Sequence, residues 1–551
     1  MIPIPLSHPT PQFRRDSFLS LDGEWLLNGK PVRVPFPPQA PLSGWDGPVP
    51  EQLVYEKDFT LPEDFLPAGF RLLLHFGAVD QTARILVNGK AVAEHRGGYL
   101  PFEADITAAL RPGANCLRVE ASDTLSHFYP YGKQSAKPHG MWYTPVSGIW
   151  QSVWLEAVPE RRILSLKLRP ELDKVRVLVR ADQPQVSAEI VAPSGSVLSI
   201  TFPSNAGYDI PVPDPRPWSP DSPELYGLTL RCGEDTVYSY FALRTVKIAP
   251  DSKGIPRLML NGRPIFLSAV LDQGYFPDGL FLPESPERWQ DEARRLKDLG
   301  FNCDRKHIKL EPEAFYCACD MAGVLVIQDM VNAGRYGFFF DTLLPTLRLK
   351  RQLRRGSLGR EQMAFFEEHC RASVSRLYNH PCIIGWTLFN EGWGQFDTAR
   401  LYRRMKQWDS TRFTDSASGW YTPGESDLDS VHVYFKNRVL KPGKKPLLLS
   451  ECGGYTRAVE GHLFKPDGAY GYGKTDSEAA LTDRIGALAE EMIRPAVAGG
   501  LCGYVYTQIT DVEGEINGLY TYDRQVLKAD AERLRSLNRS LAETLESSVN
   551  G

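Results

Sequence analysis

Hydrophobic and polar positions follow two different rules along this chain. Up to about residue 250, short segments alternate apolar and polar residues, the period-2 pattern of strands with one buried face. Arg71-Leu72-Leu73-Leu74-His75-Phe76, Ala83-Arg84-Ile85-Leu86-Val87 and Leu117-Arg118-Val119-Glu120-Ala121 read this way, and Asn88-Gly89-Lys90 is a hairpin turn. Residues 158–248 continue with strands at Val175–Val179, Val186–Val191 and Leu225–Leu230, and the proline-rich stretch Pro211 to Pro223 separates two of its strands. A pattern of about 90 residues suits a small sandwich. Beyond this point apolar runs at 264–271, 302–307, 323–329, 383–389, 412–416, 430–434, 446–451 and 501–507 predict strands that alternate with helices. Ser285 as N-cap and Pro286 in the first turn open one helix, with Trp289, Ala293, Leu296 and Leu299 on its apolar stripe and Gly300 closing it. Further stripes run through Met363, Phe366, Cys370, Val374 and Leu377, through Leu481, Ile485, Leu488 and Met492, and from Leu527 to Leu545. Eight strands with intervening helices predict a (β/α)8 barrel.

Two of the barrel runs carry the chemistry. Ile383 to Phe389 leads into Asn390-Glu391, and Pro446 to Ser450 leads into Glu451. Continuous apolar runs are the mark of parallel strands buried on both faces, and their C-terminal ends are where barrel enzymes place reactive groups. One such glutamate is as well explained by structure as by function. Two suggest a pair of carboxylates acting on one bond, as glycosidic cleavage requires.

Composition narrows the partners. The 551 residues are 42% hydrophobic and 24% charged, with a formal net charge of −4. That balance offers no footprint for nucleic acid or an anionic membrane. No apolar stretch approaches the roughly 20 residues of a bilayer span, and Met1 to Arg15 does not read as a signal peptide. The nine cysteines are odd in number, and several fall inside apolar runs, which predicts buried thiols in a cytoplasmic protein. Cys317-Ala318-Cys319 has the wrong spacing for a zinc pair.

Several short motifs lie along the chain: Val87-Asn88-Gly89-Lys90, Gly97-Gly98-Tyr99, Pro101-Phe102, Ser147-Gly148-Ile149-Trp150-Gln151, Trp218-Ser219-Pro220, Phe241-Ala242-Leu243-Arg244 and Leu260-Asn261-Gly262-Arg263-Pro264. Together they resemble glycoside hydrolase family 2, the family of bacterial β-galactosidases, β-glucuronidases and β-mannosidases. The resemblance implies a jelly-roll sugar-binding-like domain (1–157), an immunoglobulin-like β-sandwich (158–248) and a catalytic TIM barrel (249–551). It implies a retaining exo-β-glycosidase, β-galactosidase-like, with Glu391 as general acid/base and Glu451 as nucleophile. The alternatives are a β-glycosidase for another sugar (galacturonide, glucuronide, mannoside or arabinoside) or a dead barrel that only binds carbohydrate. Asn390 is expected at the sugar 2-hydroxyl, and Arg305 beside Glu451. His307, His432, Tyr434, Asp272 and Gln508 are further candidates for the sugar site, with Gln273, Asp329 and Asp511 near them. His307 lies one residue closer to Arg305 than the family pattern has it. Lys309 reads either as a cation for an anionic sugar or as a solvated loop residue, and Trp386 as barrel core. The β-glucuronidase Asn-x-Lys motif occurs here only as Asn28-Gly29-Lys30 and Asn88-Gly89-Lys90, outside the barrel, which argues against a glucuronidase. No metal or other cofactor is assigned. Dimers or tetramers are common in the family, and the state of this chain stays open. Residues 334–359, with Phe338-Phe339-Phe340 and the basic run Arg348 to Arg355, form a long insertion after the third barrel strand, read as a lid, a partner-binding loop or a solvated loop.

Overall fold

The structure is a computed structural model that describes residues 4–337, 339–344, 358–421, 424–466 and 470–550. Its N-terminal part is a sandwich of a six-stranded and a four-stranded antiparallel sheet. The strand Ala114–Ser122 shows why: its residues alternate strictly between buried and partly exposed from Asn115 onward, so one face feeds a core of Trp25, Tyr55, Leu74, Ile85, Leu117 and Val119. A second sandwich follows, with sheets of three and four strands around Val177, Ile190, Leu228 and Val237.

The barrel has eight parallel strands: β1 (Leu267–Asp272), β2 (Cys303–Lys306), β3 (Leu325–Asp329), β4 (Ile383–Thr387), β5 (Phe413–Asp415), β6 (Asp429–Val433), β7 (Leu447–Gly453) and β8 (Leu501–Thr507). Pairing runs in order from β1 to β5 on one side and through β8 and β7 to β6 on the other. No ladder joins β5 to β6 among the described residues. Side chains bridge that seam instead, with Ser430 Oγ donating to Ala417 O at 3.2 Å. Strands β3, β4 and β8 are buried at every position, as continuous apolar runs predict.

The helices depart from expectation at their ends. Helix α1 (Arg288–Asp298) begins three residues beyond Ser285, which together with Pro286 forms a tight preceding turn whose carbonyls accept from Arg288 N (3.2 Å) and Trp289 N (3.3 Å). The stripe from Leu481 to Met492 is not one helix. It is α-helical over Glu478–Leu488, widens to a π turn over Ala489–Ile493, then tightens again over Arg494–Val497. Pro495 has no N–H to continue the regular ladder. Leu527 precedes the final helix, Ala531–Asn550. Of the insertion, the basic run Arg348 to Arg355 lies outside the described residues, while Phe339–Leu343 forms a π turn. All nine cysteines are free, eight of them buried.

Buried polar contacts fasten the three parts to one another. Arg15 donates to Glu156 (3.0 Å), to both oxygens of Asp235 (2.7 and 2.9 Å) and to Ile163 O (2.7 Å), tying the first sandwich to the second. Arg244 donates to Pro381 O and Ile383 O at the base of β4. Trp218 Nε1 and the Tyr240 hydroxyl both reach Asp320, on the helix Glu313–Ala322. Cys317 and His380 also approach Asp320 closely enough to suggest a metal site. Hydrogen bonds from Tyr240, His380 and Cys382 N already account for that carboxylate, and burial holds the Cys317 thiol far above its ordinary value. Removing one partner of a buried ion pair strands the other, at about 3–5 kcal/mol. Arg15→Ala is therefore expected to lower stability by about that amount in urea unfolding. A change under about 1 kcal/mol would show that the joint does not depend on this cluster.

Candidate active site

The two strand-end glutamates meet at the mouth of the barrel, although each is delivered by an irregularity. After β4 the chain turns sharply, and Glu391 sits in the left-handed region at φ 55°, a conformation costing a non-glycine residue about 1–2 kcal/mol. Its backbone is held from both directions: its N–H donates to Ser418 O (3.0 Å), and its carbonyl accepts from Trp420 Nε1 (3.0 Å). On β7, the pairing with both neighbours slips around Ser450 and Glu451. A bulge of this kind re-aims a side chain without ending the strand.

His432, on β6, joins the pair. Its Nδ1 lies 2.7 Å from Glu391 Oε1 and 3.3 Å from Glu451 Oε2, and its Nε2 lies 2.9 Å from Ser418 Oγ. One oxygen of each glutamate and one His432 nitrogen all lie within 4.8 Å of one another. This ring position needs a glycine behind it, because a Cβ on Gly419 (φ +92°) would come within 2.7 Å of His432 Nδ1.

The two carboxyl groups have unlike surroundings. Glu451 accepts from Arg305 Nη1 (3.1 Å) and from the Tyr434 hydroxyl, which also lies 3.1 Å from Thr507 Oγ1. Burial opposes its ionisation, yet the charges of His432 and Arg305 outweigh burial and hold it well below the usual carboxylate range. Among the described residues Glu391 has no guanidinium partner. Burial raises it above its ordinary value against the pull of the His432 ring, and the charge of Glu451 raises it further. The two carboxyl groups are thus pushed in opposite directions.

Arg305 organises this difference. Its guanidinium spans both oxygens of Asp329 (3.1 and 3.0 Å), Ser450 O (2.9 Å), Glu451 and Asn390 Oδ1 (3.0 Å). The Asn390 amide is thereby turned with its oxygen inward. His307, one residue from Lys306, is brought in as well: its Nδ1 lies 2.9 Å from Asp329 Oδ2. Burial and the Lys133 charge depress His307 to about 4, so the ring is neutral at ordinary pH.

Other expectations need correcting. The Asp272 carboxylate is committed to Lys306 Nζ and Gly274 N (2.7 Å), so it serves the framework. Gln508 is fully buried and donates to Asn517 Oδ1 (2.9 Å), and Asp511 is paired with Lys528 (2.6 Å). Lys309 is neither a solvated residue nor a free cation. It is buried against Glu311 (2.8 Å), Gly274 O and Phe281 O (2.8 Å). Trp386 is core, with Nε1 on Asp409 (2.9 Å). Asp329 reaches the site only through Arg305 and His307. Sequence reasoning also missed residues that the fold supplies: Ser418, Trp420, Thr507, and Tyr472, whose ring stacks on Tyr434 at 3.8 Å. None of these lies at a signal-bearing strand end, except Thr507 on β8. Lys133 was missed because it stands in the first sandwich, far along the chain from either glutamate.

This fold and this site define a class: a parallel barrel with a paired-carboxylate centre at the C-terminal ends of its strands, preceded by two β-sandwiches. Comparison with known proteins narrows the class to a family. The family model described as Glycosyl hydrolases family 2, sugar binding domain, matches residues 29–159, Glycosyl hydrolases family 2 matches 156–244, and Glycosyl hydrolases family 2, TIM barrel domain, matches 285–466. The chain belongs to glycosyl hydrolases family 2. Among curated relatives, a β-galactosidase of Thermoanaerobacter pseudethanolicus is 24% identical over 439 residues, covering 73% of this chain and 54% of its own. One of Aeromonas hydrophila subsp. hydrophila is 28% identical over 412 residues, covering 69% of this chain and 37% of its own. The chain therefore spans about half or less of the length of these relatives. Among solved structures, a β-D-glucuronidase of Dictyoglomus thermophilum superposes with a TM-score of 0.74 at 18% identity, over 96% of this chain and 98% of that one. A β-galacturonidase of Eisenbergiella tayi gives 0.68 at 21% identity, over 96% and 97%. These structures share the fold.

Lys306 is paired with Asp272 and lies 3.2 Å from Glu311, all of them buried. Lys306→Met strips buried Asp272 of its cation and leaves Glu311 with Lys309 alone, and is expected to lower stability by about 3–5 kcal/mol in urea unfolding. Adding Asp272→Asn is expected to recover part of the loss. A double variant no more stable than Lys306→Met alone would remove the pairing as the cause.

Proposed function

We propose that the chain is a retaining exo-β-glycosidase of β-galactosidase-like type. The observation that carries this reading is a pair of carboxyl groups with oxygens within 4.8 Å and opposite surroundings, which raise Glu391 above its ordinary value and lower Glu451 below it. Oxygens that close accord with carboxyl groups spaced about 5–5.5 Å apart, as in retaining enzymes, better than with the roughly 6.5–9.5 Å that leaves room for a water in inverting ones. Glu391, whose proton affinity burial raises, gives its proton to the glycosidic oxygen as the bond to the anomeric carbon breaks. Glu451, held ionised by Arg305, His432 and Tyr434, attacks that carbon to form a glycosyl ester. Glu391, now a carboxylate, takes a proton from water as the water displaces Glu451 and frees the sugar. Asn390, its oxygen fixed by Arg305, offers its amide N–H groups to the 2-hydroxyl. His307 is positioned through Asp329 to reach another hydroxyl. The β-galactoside preference rests on the names of the curated relatives.

Glu451→Ala is expected to reduce hydrolysis of p-nitrophenyl β-D-galactoside at least about a thousandfold. Azide should rescue the variant and yield an α-glycosyl azide. Substantial unrescued activity would exclude Glu451 as nucleophile. Tyr434→Phe tests the electrostatics. The lost O–H donor had stabilised ionised Glu451, so its pKa must rise and the acid limb of kcat/KM should move to higher pH by about one unit. An unmoved acid limb would mean that the phenol does not set this ionisation.

A further inference from the structure

The cations around the barrel mouth are almost all committed. Arg305 uses Nε, Nη1 and Nη2 on Asp329, Glu451, Ser450 O and Asn390. Lys306 is held by Asp272 and Glu311, Lys309 by Glu311 and two carbonyls, and Lys528 by Asp511 and two carbonyls. Lys133 differs. Among the described residues its ammonium makes no hydrogen bond or ion pair, and the residue is only partly buried.

The backbone that carries Lys133 is nonetheless fixed on the barrel. Tyr131 N and Gly132 N both donate to Asn332 O (3.0 and 3.4 Å), just beyond β3, and the Tyr131 hydroxyl donates to Gly334 O (3.0 Å). The Tyr131 ring packs edge-on against Trp393, two residues past Glu391, with centroids 5.5 Å apart. Gly132 (φ +68°) lies so close to Ile308, the neighbour of His307, that a Cβ there would stand 3.0 Å from its carbonyl oxygen. On the other side Lys133 O accepts from Tyr143 N (3.0 Å), whose hydroxyl is bonded to Glu515. Gln134, the next residue, is buried and bonded to Asp80, Tyr99 and Val146 N. A flexible surface lysine has no need of such anchoring.

We propose that Lys133 is the anion-binding residue of this site, a cation supplied by the first sandwich that receives a carboxylate on the bound sugar, so that the preferred substrate is a β-linked uronide. The placement of the sugar rests on the glycosidase reading above, and the inference goes beyond it by adding an acidic sugar that the same site takes in preference to the neutral galactoside. Charge supports it. Behind the larger effects of burial, the Lys133 charge acts on His307 and Glu515, and behind burial and His432 it acts on Glu391 and Glu451. Those groups have their own closer partners: Glu451 has Arg305 and Tyr434, Glu391 has His432, and Glu515 has Tyr143 and Asn517. The ammonium is within reach of the sugar site without being taken by any of them. A charge-assisted bond from lysine to carboxylate then discriminates acid from neutral sugar.

The test measures binding in the Glu451→Gln background, with and without Lys133→Met, by calorimetry. The probes are p-nitrophenyl β-D-galacturonide and β-D-glucuronide beside the corresponding galactoside and glucoside. At least one acid is expected to bind more tightly than its neutral counterpart, and Lys133→Met is expected to reduce that acid-to-neutral ratio by about 10- to 100-fold. Neutral sugars binding as well as the acids, no binding of either acid, or equal loss of both types in Lys133→Met would each overturn the proposal. Failure of the mechanistic reading appears elsewhere, as turnover that survives Glu451→Ala, and leaves this ratio readable.

Discussion

The Arg305 guanidinium is the contact on which the rest of the site depends. A single planar cation bridges β2 to Asp329 on β3, to Glu451 and Ser450 on β7, and to Asn390 beyond β4. Five donors in one rigid fork allow this, which an ammonium could not match. Buried charges are tolerated only when paired and hydrogen-bonded. Arg305 and Asp329 therefore require one another, and Glu451 is ionised at the edge of their pair. The orientation of His307 and of the Asn390 amide follows from the same two residues.

Around that cation the barrel separates two chemically identical side chains. Glu451 receives a guanidinium, a phenol and an imidazole, whereas among the described residues Glu391 shares only the imidazole and is raised by burial and by its neighbour's charge. Each is aimed by a local break in regularity, the bulge in β7 and the left-handed residue after β4. Hydrogen bonds hold both breaks, with Ser418 and Trp420 at Glu391 and with Arg305 and Val431 at Ser450. That is how a small conformational penalty persists at a working site.

The sandwiches are part of this construction. Arg15 locks the first to the second, and Arg244, Trp218 and Tyr240 dock the second on β4 and the helix Glu313–Ala322. The first sandwich then reaches the mouth of the barrel through Tyr131 and Gly132 on Asn332 and through Tyr143 on Glu515. A site that looks confined to the barrel is walled in part by a domain far away along the chain.

Apolar periodicity determined the strands of the barrel and the sandwich character of the first half, because burial on one face or on two leaves a pattern in the residues themselves. It also located Asn390, Glu391 and Glu451, since a polar residue ending an apolar run stands out. Helix ends were less legible: Pro495 and the turn at Ser285-Pro286 act through backbone hydrogen bonds that the stripe of side chains does not report. Pairing was not legible at all. Asp272, Gln508, Asp511 and Lys309 look like site residues at strand ends, yet Lys306, Asn517, Lys528 and Glu311 take them into the framework. Which charge is compensated and which is left open depends on distances of a few ångströms between residues remote in sequence. Only the folded chain sets those distances. So the sequence by itself located the two glutamates at strand ends, and tertiary structure decided how differently they are surrounded and that, among the described residues, Lys133 has no partner of its own.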